Sequence, residues 1–137
     1  MELTGGCLCG AIRYRGEGPL HSRVHCHCAI CRRASGAVAV SWVTVSLDHF
    51  AFTRGEPAIF RSSSHGERRF CQRCGSPLTF WTERDPARID VTIGTLDRPD
   101  EIEPTRHIWT ASRVAWLRLD EMLPAYPESG PPDIIGT

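Results

Sequence analysis

Seven cysteines carry the chemical signal of this 137-residue chain. They stand as Cys7-Leu8-Cys9, Cys26-His27-Cys28-Ala29-Ile30-Cys31 and Cys71-Gln72-Arg73-Cys74. An odd set of thiols, behind an N-terminus without a basic-then-apolar leader, points away from a disulfide framework and toward metal or a reactive thiol. Zinc takes four tetrahedral ligands, commonly thiolates supplied as close pairs from two separate turns. Two pairings meet that demand. One joins Cys28/Cys31 with Cys71/Cys74, as in a zinc ribbon. The other joins Cys7/Cys9 with Cys71/Cys74 and leaves Cys26, Cys28 and Cys31 together.

The glycines favour the second pairing. Gly10 follows Cys9 and Gly75 follows Cys74, whereas Cys31 is followed by Arg32-Arg33 with no glycine before Gly36. A glycine just after a ligand lets the backbone turn tightly and bring N–H groups onto sulfur. Cys7, Cys9, Cys71 and Cys74 would then close one structural site, with buried free thiols as the bland alternative. Three cysteines remain, the number that makes an open zinc site whose fourth position takes water, a substrate thiol or a carbonyl oxygen. The competing readings of Cys26, Cys28 and Cys31 are a second closed site completed by His25 or His27, or redox-active thiols without metal. In an extended segment both histidines point away from Cys26, which favours the open site.

A free thiol has a pKa of about 8.5 and is mostly protonated near neutrality. Zinc can lower that pKa by binding sulfur or can polarise a carbonyl oxygen. Arg32 and Arg33 can pair with a substrate carboxylate in bidentate fashion, against the plainer reading of a solvated helix face. Arg68 and Arg69 alternate as ordinary strand residues would. His65 can shuttle a proton or simply be exposed, and His107 reads as structural. Trp42, Trp81, Trp109 and Trp116 read as core, with room for one of them to line a cleft.

Composition narrows the remaining chemistry. All sixteen basic residues are arginines, balanced by sixteen acids for a formal charge of zero. The absence of lysine excludes Schiff-base chemistry and a P-loop lysine, and the absence of Asn excludes a Cys-His-Asn triad. Neutral charge argues against nucleic acid or an anionic membrane surface as partner. No apolar run reaches the roughly 18 residues of a transmembrane span. A cytoplasmic protein is expected.

The ligand-bearing turns need strands to hold them. Ala11–Arg15, Leu20–His25, Ala37–Val45, Phe50–Arg54, Ala58–Arg61, Arg68–Cys71, Pro77–Thr82, Arg88–Thr95 and His107–Trp109 read as strands, with one short helix over Ala29–Ser35. Twelve glycines and ten prolines supply the turns between them. The chain reads as one mainly-β domain over residues 1–127, with an extended, loosely packed tail over 128–137 and no function assigned to it.

Three segments also resemble a known family. Gly5-Gly6-Cys7-Leu8-Cys9-Gly10, Cys26-His27-Cys28-Ala29-Ile30-Cys31-Arg32-Arg33-Ala34-Ser35-Gly36 and Phe70-Cys71-Gln72-Arg73-Cys74-Gly75-Ser76-Pro77-Leu78 are similar to the glutathione-dependent formaldehyde-activating (GFA) family, which includes the centromere protein V domain. Ile89 to Asp97, and the run through His107, Trp116 and Leu123-Pro124, resemble its later strands, so that the likeness spans about residues 4–127. The resemblance implies a β-tent of small antiparallel sheets around a structural zinc matching Cys7, Cys9, Cys71 and Cys74. It implies an active-site zinc matching Cys26, Cys28 and Cys31, hence two zincs per chain. The implied activity is reversible formation of S-(hydroxymethyl)glutathione from formaldehyde and glutathione, or of a related thiol adduct, by a carbon–sulfur lyase. The implied partners are a small thiol and an aldehyde, with the chain a monomer or homodimer. A zinc-dependent scaffold and a redox or electrophile-scavenging protein stand as alternatives.

Overall fold

The computed structural model describes residues 1–132, so the last five residues of the expected tail lie outside the described residues. Ten strands and one short helix follow in the order β1 Glu2–Gly6, β2 Arg13–Glu17, β3 Ser22–Cys26, α1 Ala29–Ser35, β4 Val40–Ser46, β5 Phe50–Arg54, β6 Ala58–Arg61, β7 Gly66–Phe70, β8 Pro77–Thr82, β9 Arg88–Thr92 and β10 Arg106–Ile108. They form two sheets. The smaller is β1-β2-β5, and the larger runs β10-β3-β4-β9-β8-β7-β6. All strand pairs are antiparallel except β10 with β3, which is parallel. The architecture is the mainly-β arrangement expected from the alternating apolar residues.

Two apolar clusters divide the interior. Leu3, Ile12 and Tyr14 of the small sheet's region pack on Val43, Val45, Ile89, Val91 and Leu78 of the large one. A second cluster of Val24, Cys26, Cys31, Val40 and Trp42, with Phe80 and Ile108 against it, lies under α1. The alternation within β4 accounts for this split, because Val43 and Val45 enter one cluster while Val40 and Trp42 enter the other.

Strand β1 carries no strand signal in the sequence, since Gly5 and Gly6 weaken it. Its partners explain both glycines' presence: a Cβ on Gly5 would stand 2.3 Å from the Tyr14 hydroxyl oxygen and 2.5 Å from the Thr95 carbonyl. The strand expected over Ala37–Val45 starts only at Val40, and the one expected over Arg88–Thr95 ends at Thr92. Ile93–Thr95 turn into a 3-10 helix, where the Thr92 and Thr95 hydroxyls meet at 2.8 Å or less and the Tyr14 hydroxyl joins Thr95.

The chain after Pro124 is extended yet tied to the body. His107 N–H donates to the Pro124 carbonyl, Tyr126 N–H to the His107 carbonyl, and Trp109 N–H to Glu128. The Arg106 guanidinium donates to the Pro131 carbonyl at 2.9 Å. The segment thus covers the β10 edge, which corrects the expectation of loose packing for the part that is described.

Leu78 is fully buried where β8 meets the inter-sheet core. Leu78→Ala is expected to cost about 2–5 kcal/mol, read as a lower urea midpoint with an unchanged slope.

Candidate metal centres and active site

The turn after β1 and the turn after β7 are built alike. In the first, Cys7 N–H donates to the Ile12 carbonyl and Gly10 N–H to the Cys7 carbonyl; in the second, Cys71 N–H donates to Ser76 and Gly75 N–H to Cys71. Gly10 and Gly75 both stand at φ +80°, the left-handed region anticipated from their place behind a cysteine. Further donors converge on sulfur, with Ile12 N–H 3.2 Å from Cys7 Sγ and the Ser76 hydroxyl 3.2 Å from Cys74 Sγ. Leu8 N–H bonds the Ser76 hydroxyl at 3.0 Å and sews one turn to the other.

Between the turns the sulfur atoms of Cys7, Cys9, Cys71 and Cys74 all lie within 4.8 Å of one another. Cys7 and Cys9 are 3.6 Å apart, and Cys9 and Cys71 3.8 Å. Tetrahedral thiolates at a metal–sulfur distance of about 2.3 Å stand about 3.8 Å apart, so the donor set fits a four-coordinate ion such as zinc. All seven cysteines are unbridged.

Cys26, Cys28 and Cys31 form a second group with sulfurs inside the same 4.8 Å limit. Cys26 ends β3, Cys28 is the N-cap of α1, and Cys31 sits in its first turn. The Cys28 sulfur accepts from Cys31 N–H at 3.3 Å, and Cys26 and Cys31 sulfurs are 3.6 Å apart. Hydrogen bonds from the Cys26 and Cys31 thiols, joined by backbone N–H groups, pull the Cys28 thiol down to about 2. The same proximity pushes Cys26 well up, helped by its burial. Three thiolates this close would repel one another, and a cation between them would relieve that repulsion.

Neither neighbouring histidine completes the group. His27 Nε2 lies 2.8 Å from His107 Nδ1, and His107 Nε2 is 3.0 Å from the Asp120 carbonyl oxygen. His25 pairs with the Ser41 hydroxyl and with Asp120 Oδ2 at 2.6 Å. Parity along β3 therefore sends Cys26 to one side and both histidines to the other, as the extended geometry required. His107 is buried and held between His27 and the Asp120 carbonyl.

Cys31 lines a cavity of about 330 Å³ whose walls include Val40, Trp42, Phe60, Phe70 and Pro77. Arg68, on β7, also lines it and directs Nη2 to Cys31 Sγ at 3.4 Å. Ser62 Oγ accepts from its Nε at 3.0 Å, and the guanidinium lies 4.9 Å from the Phe80 ring centroid. Sequence reasoning passed over Arg68, because an arginine alternating along a strand looks like a solvated face. Only the strand order of the large sheet, with α1 packed against it, sets Arg68 beside Cys31.

Other expectations are redistributed. Arg32 donates to the Ser112 carbonyl at 3.2 Å and ties down α1, and Arg33 is exposed on the helix. His65, in the loop between β6 and β7, bonds Glu83 in the turn after β8. The four tryptophans do not all fill the core: Trp116 is 68 % exposed and Trp109 40 %, while Trp42 is buried and lines the cavity.

Known proteins resemble this chain. The family model described as "Glutathione-dependent formaldehyde-activating enzyme" matches residues 2–112. The chain belongs to the GFA family. A Halomonas elongata protein named "Putative glutathione-dependent formaldehyde-activating enzyme" is 30% identical over 88% of this chain and 82% of its own. An uncharacterized lyase of Schizosaccharomyces pombe is 34% identical over 58% of this chain and 57% of its own length. A solved Rhodobacter sphaeroides protein shares the fold with TM-score 0.58 at 18% identity, over 90% of this chain and 98% of that one. In this GFA protein no described helix is long and apolar enough to cross a membrane.

A Cβ on Gly75 would meet nothing within 4 Å, so Gly75→Ala isolates the cost of positive φ at the four-cysteine turn. The expected loss is about 1–2 kcal/mol, seen as a drop in melting temperature of roughly 3–10 °C.

Proposed function

We propose that this chain is a zinc-dependent carbon–sulfur lyase that reversibly adds a small thiol to an aldehyde. The observation that carries the reading is a three-cysteine cluster of which one member, Cys31, lines a cavity large enough for a small molecule. Cys26, Cys28 and Cys31 would hold an active-site zinc with one position open. Cys7, Cys9, Cys71 and Cys74 would hold a structural zinc, closed by four thiolates. Glutathione and formaldehyde are the reactant pair that the family name suggests, giving S-(hydroxymethyl)glutathione. A zinc ion at the open site supplies an acidified thiol or a polarised carbonyl.

The chain's own groups prepare the addition. The N-cap geometry fixes the Cys28 sulfur against Cys31 N–H, and burial of Cys26 and Cys31 keeps water from the inner side of the cluster. Apolar cavity walls raise the strength of every charge interaction inside them. In the forward step the sulfur lone pair forms the C–S bond while the C=O π pair moves to oxygen. The proton lost by the thiol ends on that oxygen, so the step balances without oxidant or reductant. Seven unbridged cysteines suit the reducing cytoplasm as the place for this chemistry.

Metal analysis of protein prepared with sufficient zinc is expected to return two zincs per chain, the second perturbed by glutathione. Cys28→Ser is expected to retain one zinc and the folded state while thiol–aldehyde exchange falls by roughly two orders of magnitude. Full turnover with both zincs kept in Cys28→Ser would overturn the assignment.

A further inference from the structure

The cavity beside Cys31 is built for more than a one-carbon aldehyde. Its volume of about 330 Å³ is bounded by Val40, Trp42, Phe60, Phe70 and Pro77. Formaldehyde has no substituent to set against such walls. The geometry instead sets apolar walls beside two arginines, with Arg69 paired to Glu67 at 3.9 Å and a second cation at the cysteine end.

Arg68 is that cation, and it is held in place while keeping donors free. Ser62 and the Cys31 sulfur use two of its five N–H groups, and Phe80 supports its plane. Among the described residues no carboxylate lies within ion-pair distance of Arg68. Asp90 feels its charge without contacting it and is engaged by the Thr44 hydroxyl at 2.5 Å. A guanidinium without a carboxylate partner beside the three-cysteine cluster is placed to meet an oxygen that becomes negative. Phe60, meanwhile, is 61 % exposed on the edge strand β6 and contributes little to the core. Its ring is available to cover a ligand.

We infer that the aldehyde used here carries an apolar body, aryl or branched alkyl, packed between Trp42 and Phe60, with its carbonyl oxygen at Arg68. This rests on the reading of thiol addition at the three-cysteine cluster. As sulfur bonds the carbonyl carbon, the π pair moves to oxygen and Arg68 stabilises the alkoxide until it takes the thiol's proton. Cleavage runs the same electron movements backward.

Benzoate is a non-reactive probe of both features, its carboxylate standing in for the alkoxide and its ring for the apolar body. On zinc-loaded protein, calorimetry is expected to show benzoate binding at least about tenfold tighter than acetate. Arg68→Met should lose that advantage at unchanged zinc content, and Arg68→Lys should restore part of it. Phe60→Ala, on an exposed edge, should weaken benzoate severalfold without loss of fold. The rate enhancement over uncatalysed addition should be greater for benzaldehyde than for formaldehyde, and Phe60→Ala should narrow the gap. Equal binding of benzoate and acetate, or a larger enhancement for formaldehyde, would overturn the inference and leave the lyase reading standing. Arg68-dependent benzoate binding with no exchange for any aldehyde would instead overturn the lyase reading and the aldehyde assignment with it.

Discussion

Sulfur crowding is the constraint on which the rest of the structure depends. Four cysteine sulfurs from two turns some sixty residues apart converge within 4.8 Å, near the separation of tetrahedral thiolates. The convergence ties the β1–β2 turn to the β7–β8 turn, and therefore the small sheet to the large one. Core packing between Tyr14 and Thr95, and among Leu3, Val45 and Val91, follows from that clamp and reinforces it. Sulfurs this dense gain from backbone and hydroxyl donors, which explains why Ile12 N–H and Ser76 Oγ are aimed at them.

The three-cysteine group obeys the same physics with the opposite outcome. Its sulfurs are just as close, yet its donor set stops at three and one side faces a cavity. The alternation of β3 is responsible. Cys26 turns toward Cys31 of α1, and His25 and His27 turn toward β10, where His107 and Asp120 engage them. Imidazoles that sequence proximity offers as ligands are thus spent on joining β3, β10 and the segment around Asp120.

That histidine side gives the C-terminal segment a structural reason to exist. Asp120 adopts a left-handed backbone (φ 42°), presenting its carbonyl to His107 and its carboxylate to His25. Beyond it, Pro124 to Pro131 runs beside β10 and satisfies backbone groups that an edge strand would leave open. Prolines suit such a position because they need donate nothing to the ladder.

By itself the sequence determined the division of cysteines into four and three, since Gly10 and Gly75 mark the two turns that need positive φ. It also determined α1 and strands β5, β6 and β8 to the residue, because local periodicity and punctuation suffice there. Strand β1 escaped it, as glycine-rich strands are made by their partners and not by propensity. So did the exposure of Trp109 and Trp116 and the docking of the tail on β10, both set by which edge was left uncovered. Arg68 is the sharpest case. Residue type and spacing make it one more strand arginine, and only the long-range strand order of the large sheet, with α1 packed against it, puts its charge beside Cys31.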